Sequence, residues 1–443
     1  MPGDKSISHR AVILNSLARG KAKIDNFSPA RDCLATVKCL RDLGVEIRKL
    51  KAVSCQLSAV LVSGIAGDGF REPANVLDAG DSGTTMRLLG GLLSSQPFLS
   101  IITGDASLRS RPMGRLIEPL KSMGAEIWGR GKDSFAPLVI RGKKLHGIDF
   151  SLPIPSAQIK SAILLAGLFA QGKTILHQPM PSRDHTERLL KQMGTQLESD
   201  GNSLSLSPLT NPLSPISFRI PGDISSAAYF LVAGAIHPNA RVVVRNCGIN
   251  PTRTGIIDAL VVMGAKLKIE NERWEASEPL ADIVVESSEL RGIDVGGDII
   301  PRLIDEIPVL AIAGCVAKGK TVIRGASELR VKESDRIAAL AKELSKLGAK
   351  VEELPDGMII YGGKPLLGTE VGSHSDHRLA MSLAIAGLVA KGETAINHAQ
   401  IAQISYPAFW QDLLSLQAER SKEPPHLTSP SRREEYGEGE IGG

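Results

Sequence analysis

Cations stand where helices should begin. Lys5, Arg10, Arg87, Lys160 and Arg378 fall near the starts of apolar segments, and Arg31, Arg111, Arg183, Arg253, Lys332 and Arg336 near the starts of amphipathic ones. A helix N-terminus carries positive partial charge and favours acids, so this placement is electrostatically backwards. It becomes favourable if the helix starts converge on an anion, because backbone N–H groups, Ser and Thr hydroxyls and the cations then serve one ligand. That ligand should carry several charges on phosphate or carboxylate groups. Acids lie among the cations: Asp305 and Glu306 at one helix start, Glu333 and Asp335 at another. Most acids so placed are caps. A carboxylate amid cations and bound anions can instead acquire a shifted pKa and act as general acid or base. His374, Asp376 and His377 have the spacing of one helical turn. Arg378 adjoins them and no further His/Cys cluster completes a shell, so no metal is expected.

The elements that must position these residues form a repeat. A helix end, a Gly and a strand recur in RDLGVEI (41–47), KSMGAEI (121–127), KQMGTQL (191–197), VVMGAKL (261–267) and SKLGAKV (345–351), with a decayed sixth copy, DLLSLQ, at 412–417. Gly is the residue expected just past a helix C-terminus, where the chain turns left-handed. Interleaved with these are six apolar helices opened by a short polar segment and followed by a strand, at 5–24, 81–101, 155–176, 223–244, 305–323 and 376–396. Being apolar nearly all round, they should be buried. Six units of roughly 70–80 residues divide into two domains of three. The expected limits are 4–221 and 222–417, with residues 1–3 joining the second domain and a crossover at Pro221-Gly222. Residues 418–443 have no apolar periodicity and read as a tail without a core.

Two segments, Gly167–Thr174 and Gly314–Thr321, match the phosphate-loop pattern G-x-x-x-x-G-K-[ST]. Such a loop needs a strand before it and a helix after it. Here an apolar helix comes first and a strand follows, so both are helix-to-strand turns of the repeat.

Composition sets the outer bounds. The chain has 443 residues, 42% apolar and 23% charged, as in an ordinary globular enzyme. Aromatics are only 4%, so the core must rest on Ala, Leu, Ile and Val. A net charge of +4, with only four Tyr and three Trp to stack on bases, argues against a nucleic-acid scaffold. Cys33, Cys39, Cys55, Cys247 and Cys315 are odd in number and form no C-x-x-C pair, which suggests reduced thiols. The longest apolar runs, such as 379–390, fall short of the roughly 20 residues a membrane span needs. No signal peptide precedes the first motif, so a cytoplasmic location is expected.

The segments PGDKSISHR (2–10), DAGDSGTTMRL (78–88), SLRSRPMGRL (107–116), PSAQIKSA (155–162), GDISSAAYF (222–230), LRVKESDRI (329–337) and SDHRLAMS (375–382) together resemble the EPSP synthase family from residue 2 to about 415. The resemblance implies a two-domain inside-out α/β barrel. Each domain would hold three βαβαββ units around buried helices, with the site in the interdomain cleft. It implies transfer of the enolpyruvyl group of phosphoenolpyruvate to the 5-hydroxyl of shikimate 3-phosphate by a monomer, with no cofactor and no metal. Carried over by motif, Lys5, Ser6, Arg10, Ser156, Ala157, Gln158, Arg183, Asp305 and Lys332 would hold shikimate 3-phosphate. Lys5, Gly83, Arg111, Gln158, Arg336 and Arg378 would hold phosphoenolpyruvate, with Thr84 beside it. Asp305, Glu333 and Lys5 would be catalytic.

Four features depart from the common pattern. The chain begins at the first motif, where relatives carry a leading strand. Asp81 stands for a loop Asn, Glu328 for an Asn before the Lys-Glu pair, and Ile404 for a Lys. The sister family that transfers enolpyruvyl to UDP-N-acetylglucosamine shares the fold, but has a Lys-Asn pair where this chain has Lys5-Ser6, and usually a loop Cys. Gly3-Asp4-Lys5, Ser156-Ala157-Gln158-Ile159-Lys160, Arg183-Asp184-His185-Thr186-Glu187 and Asn250-Pro251-Thr252-Arg253 resemble the class II branch, which tolerates glyphosate, a competitor of phosphoenolpyruvate in this family. Glyphosate is therefore an expected, partly tolerated inhibitor.

Overall fold

The computed structural model describes residues 1–50, 58–66 and 69–418. The chain divides into two compact units, residues 1–407 and the chain from Ala408; of the second, the helix Phe409–Ala418 is described. Cys55 and all but the first residue of the expected 418–443 tail lie outside the described residues.

Six helices form the interior: Lys5–Leu17, Gly83–Leu93, Ala157–Gly167, Ile224–Ile236, Ile307–Val316 and His377–Gly387. Every residue of Ile224–Ile236 is buried, as its unbroken apolar character requires. Five of the six carry a side-chain N-cap: Asp4, Ser82, Ser156, Asp223 and Asp376 accept from the N–H groups of Ile7, Thr85, Ile159, Ser225 and Arg378. Each cap satisfies a donor that the helix leaves orphaned, worth about 1 kcal/mol. Helix Gly83–Leu93 crosses Ala157–Gly167 so closely that a Cβ on Gly91 would stand 2.1 Å from the Ala162 carbonyl oxygen. Only glycine permits that approach.

Among the described residues, six separate sheets of two to four strands lie around the helices. In the second repeat, Leu77–Asp78 runs parallel to Leu99–Thr103 across the buried helix Gly83–Leu93. Helix Gly114–Ser122 follows, and then the hairpin Glu126–Gly129/Phe135–Arg141, whose second strand pairs antiparallel with Leu99–Thr103. Ala136, Leu138 and Ile140 alternate inward along that strand, the period-2 signature of a half-buried sheet. Parallel pairs across a buried helix recur at Asp149–Ser151/Thr174–His177, Asp294–Val295/Lys320–Ile323 and Glu370–Gly372/Ala395–Asn397. The first repeat draws its parallel partner for Arg19–Phe27 from far along the chain, at Phe218–Arg219. Every sheet takes its strands from one side of Pro221, giving a two-domain α/β architecture. Among the described residues the sheets do not close on themselves.

Two chain crossings lie side by side: Asp4 N–H donates to the Pro221 carbonyl (2.8 Å) and Asp223 N–H to that of Pro2 (3.0 Å). The five repeat glycines, Gly44, Gly124, Gly194, Gly264 and Gly348, all have left-handed φ between 84° and 97°. Both phosphate-loop matches are helix-to-strand turns: Gly167 ends a helix and Thr174 opens a strand, while Gly314 lies in a helix and Thr321 in a strand.

Candidate active site

The starts of the buried helices and of their amphipathic neighbours converge on a cleft of about 440 Å³ lined from both domains. Every residue assigned to the site by the motif carry-over lines it: Lys5, Ser6, Arg10, Gly83, Arg111, Ser156, Ala157, Gln158, Arg183, Asp305, Lys332, Glu333, Arg336 and Arg378, together with Thr84. Arg87 and Arg253 join them. Two of the helix-start cations do not. Arg31 is exposed outside the cleft. Lys160 is buried against Glu187 (2.6 Å) and donates to the Ser182 carbonyl (3.1 Å) and Gln178 Oε1 (3.3 Å). It lines a separate cavity of about 690 Å³ that shares only Ser182 with the cleft.

Lys5 Nζ lies 2.8 Å from Asp32 Oδ2. Burial disfavours the ammonium, but Asp32 overrides it and holds the Lys5 pKa above its ordinary value. Asp32 in turn is kept ionised, well below the usual carboxylate range, by Lys5 and the His9 ring against the cost of burial. Arg10 is fixed by Thr186 Oγ1 (2.6 Å), the Ser6 carbonyl (2.9 Å) and Ser161 Oγ (2.9 Å). Burial pulls its pKa to about 10, so it remains a cation at neutral pH. Arg87 donates to Gln158 Oε1 (2.8 Å), and Gln158 Nε2 donates to Thr84 Oγ1 (2.8 Å). This chain ties the start of helix Gly83–Leu93 to that of Ala157–Gly167.

The second domain presents two carboxylates, each gripped by arginines from both domains. Asp305 accepts from Arg183 across the cleft and lies 3.6–3.7 Å from Arg336, Lys332 and Arg378. Glu333 meets Arg111 across the cleft at 3.4 Å and Arg336 at 2.6 Å. Burial alone would raise both pKa values. The surrounding cations, Arg183 and Arg378 foremost for Asp305 and Arg336 and Arg111 for Glu333, hold both well below the usual range. Arg336 is anchored from behind by Asp376 (2.7 Å). Of the other acids at these helix starts, Asp335 caps Arg336–Lys346 and pairs with Arg330, and Glu306 accepts from Ser225 in the interior.

Residues beyond the motif carry-over also line the cleft. Asp32 follows Arg31, so its only sequence signal was a cation turned the other way. His377 lines the cleft with a pKa lowered to about 4 by burial. Its neighbours in the candidate metal triplet face elsewhere, His374 toward Glu343 (2.8 Å) and Asp376 toward Arg336. Glu328 pairs across the cleft mouth with Arg115 at 3.0 Å.

A two-domain α/β fold with fixed cations and two ionised carboxylates converging between its domains defines an enzyme for small polyanions. The family model for EPSP synthase (3-phosphoshikimate 1-carboxyvinyltransferase) matches residues 1–413. The chain is 52% identical to the 3-phosphoshikimate 1-carboxyvinyltransferase of Herpetosiphon aurantiacus over 93% of this chain and 94% of that one. It is 51% identical to that of Bacillus cereus, over 94% and 95% of the two chains. A solved EPSP synthase from Acinetobacter baumannii superposes with a TM-score of 0.82 at 44% identity, covering 95% of this chain and 94% of that one. The chain belongs to the EPSP synthase family.

Proposed function

We propose that the protein joins phosphoenolpyruvate to shikimate 3-phosphate, releasing phosphate, as its family membership implies. The observation that carries the residue assignment is the pair of carboxylates bridged by arginines from opposite domains, with the Lys5 ammonium in the same cleft. Arg111, Arg336 and Arg378 clamp the carboxylate and phosphate of phosphoenolpyruvate. Lys5, Ser6, Arg10, Ser156, Ala157, Gln158, Arg183 and Lys332 hold shikimate 3-phosphate. Gly83 and Gln158 wall the phosphoenolpyruvate side.

The 5-hydroxyl oxygen bonds to C2 of the enol as C3 gains a proton. The C2–O bond to phosphate then breaks as C3 loses a proton, restoring the double bond. Asp305, beside Arg183 and Lys332, takes the hydroxyl proton. Glu333, between Arg111 and Arg336, gives and retakes the proton at C3. Those arginines hold Glu333 ionised. A bound phosphoenolpyruvate shares their charge, which raises the Glu333 pKa toward the range in which it can donate. The developing charge on the leaving phosphate meets cations already in place.

Within this reading, the domains are residues 4–221 and 222–417, with 1–3 on the second. The protein is a cytoplasmic monomer. It belongs to the glyphosate-tolerant class II branch, with partial tolerance. The branch motifs Arg183–Glu187 and Asn250–Arg253 support that placement, and they meet across the domains: Asn250 Nδ2 donates to Asp184 (2.7 Å) and His185 pairs with Glu278 (2.7 Å). The deciding test is phosphate release with phosphoenolpyruvate plus shikimate 3-phosphate, compared with UDP-N-acetylglucosamine as acceptor. Release with the UDP-sugar alone would overturn the assignment.

A further inference from the structure

Arg253 has none of the roles assigned so far, yet its guanidinium occupies the junction of three buried helices drawn from both domains. It is 3% exposed. Nη1 lies 3.7 Å from Asp4, the N-cap of Lys5–Leu17. Nη2 lies 3.4 Å from Asp223, the N-cap of Ile224–Ile236, and 3.9 Å from Glu306, which immediately precedes Ile307–Val316. Nη2 also donates to Ser225 Oγ at 2.6 Å, and Nη1 to Ser6 Oγ at 3.4 Å.

These contacts expose an electrostatic conflict. The starts of three buried helices bring three carboxylates together beside a cleft that must hold a phosphate: Asp4 and Asp223 as caps, Glu306 just ahead of its helix, with Asp223 lining the cleft itself. Burial and the neighbouring Asp4 oppose ionisation of Asp223, the effect of like charges sharing a dry site. Without a cation among them, the three acids would repel the substrate's anion and draw the Ser6 hydroxyl away from it. Arg253 reaches them from the loop before helix Gly255–Val262, which explains a cation at that helix start.

We propose that Arg253 is a positioning residue for shikimate 3-phosphate: it offsets part of the negative charge gathered at Asp4, Asp223 and Glu306, the last also 4.0 Å from Arg378, and holds the Ser6 hydroxyl toward the substrate. The proposal rests on shikimate 3-phosphate being the substrate. Arg253 does not touch the reacting atoms, so its loss acts on affinity and leaves the chemical steps alone.

The test is steady-state kinetics of Arg253→Met, Arg253→Lys and Arg253→Met/Asp223→Asn in the full chain, each checked for folding by circular dichroism. Removing one partner of a buried charge cluster should raise KM for shikimate 3-phosphate about 30-fold or more in Arg253→Met, with kcat within about threefold. Arg253→Lys should fall between it and wild type. The added Asp223→Asn, which removes one surplus negative charge and keeps a capping side chain, should recover most of the loss. A merely structural role would give no such recovery. The proposal is overturned by an unchanged KM in folded Arg253→Met, by a fall in kcat in place of the KM change, or by no recovery in the double variant. If Arg253→Met does not fold, Arg253→Lys with and without Asp223→Asn decides by the same criteria. If wild type itself releases no phosphate with the two substrates, the functional reading fails, a result distinct from all of these.

Discussion

Gly83→Ala is a one-methyl perturbation whose consequence follows from geometry. Gly83 opens helix Gly83–Leu93, and a Cβ built there would lie 2.6 Å from Arg87 Nη1 and 3.5 Å from Arg111 Nη1. The second distance is an ordinary contact, but the first is not. Arg87 must retreat by about 1 Å to restore van der Waals separation. The atom that moves is the one donating to Gln158 Oε1 at 2.8 Å, and Gln158 in turn donates to Thr84. Losing a hydrogen bond to a charged group costs about 1.5–3 kcal/mol, an upper bound of about 10- to 150-fold on KM for phosphoenolpyruvate. The fold loses the same internal bond, but Ala is favoured over Gly in a helix by up to about 1 kcal/mol, which offsets part of the cost. The assay is KM for phosphoenolpyruvate, the glyphosate inhibition constant and the melting temperature, in wild type and Gly83→Ala. KM should rise with the melting temperature lowered by no more than a few degrees, and the ratio of inhibition constant to KM should rise. The same substitution in an Arg87→Leu background should have little further effect. A KM within twofold of wild type, or full additivity with Arg87→Leu, would refute the argument.

Glu333→Gln should lower kcat by about 100-fold or more, while calorimetry shows shikimate 3-phosphate still binding; near-normal turnover would remove Glu333 from proton transfer. His377 has a folded-state pKa of about 4 against 6.5 for the free side chain. The unfolded chain therefore binds more protons between those values, and stability should fall as pH drops through that window. Denaturant titrations at pH 7 and 4.5 should show wild type losing roughly 2–3 kcal/mol more than His377→Gln, and equal losses would refute the buried neutral imidazole. Lys160→Met leaves Glu187 buried without its partner and should destabilise the fold by about 3–5 kcal/mol. KM for both substrates should stay near wild type, and a large KM change would return Lys160 to the site.

The sequence was sufficient wherever a residue's role depends on its near neighbours. The left-handed glycines at 44, 124, 194, 264 and 348 follow from where amphipathic helices must stop, and the caps at Ser82, Ser156 and Asp376 from where apolar helices start. Helix order alone dismissed both phosphate-loop matches. Cations at helix starts implied a buried anion site, and nearly all of them face one cleft. The failures came at the first two residues of a helix or one turn into it, where the backbone pattern leaves side-chain direction open. Asp32 faces Lys5 while Arg31 faces out, and Lys160 turns to Glu187. Partners distant in sequence were equally illegible. Arg183 reaches Asp305 and Arg253 reaches Asp4 only because two three-unit domains face each other across paired crossings at Asp4 and Pro221. Periodicity specifies which face of an element is buried, but not what stands opposite it. That pairing, and with it the full set of arginines that holds Asp305 and Glu333 ionised, is decided by how the two domains pack.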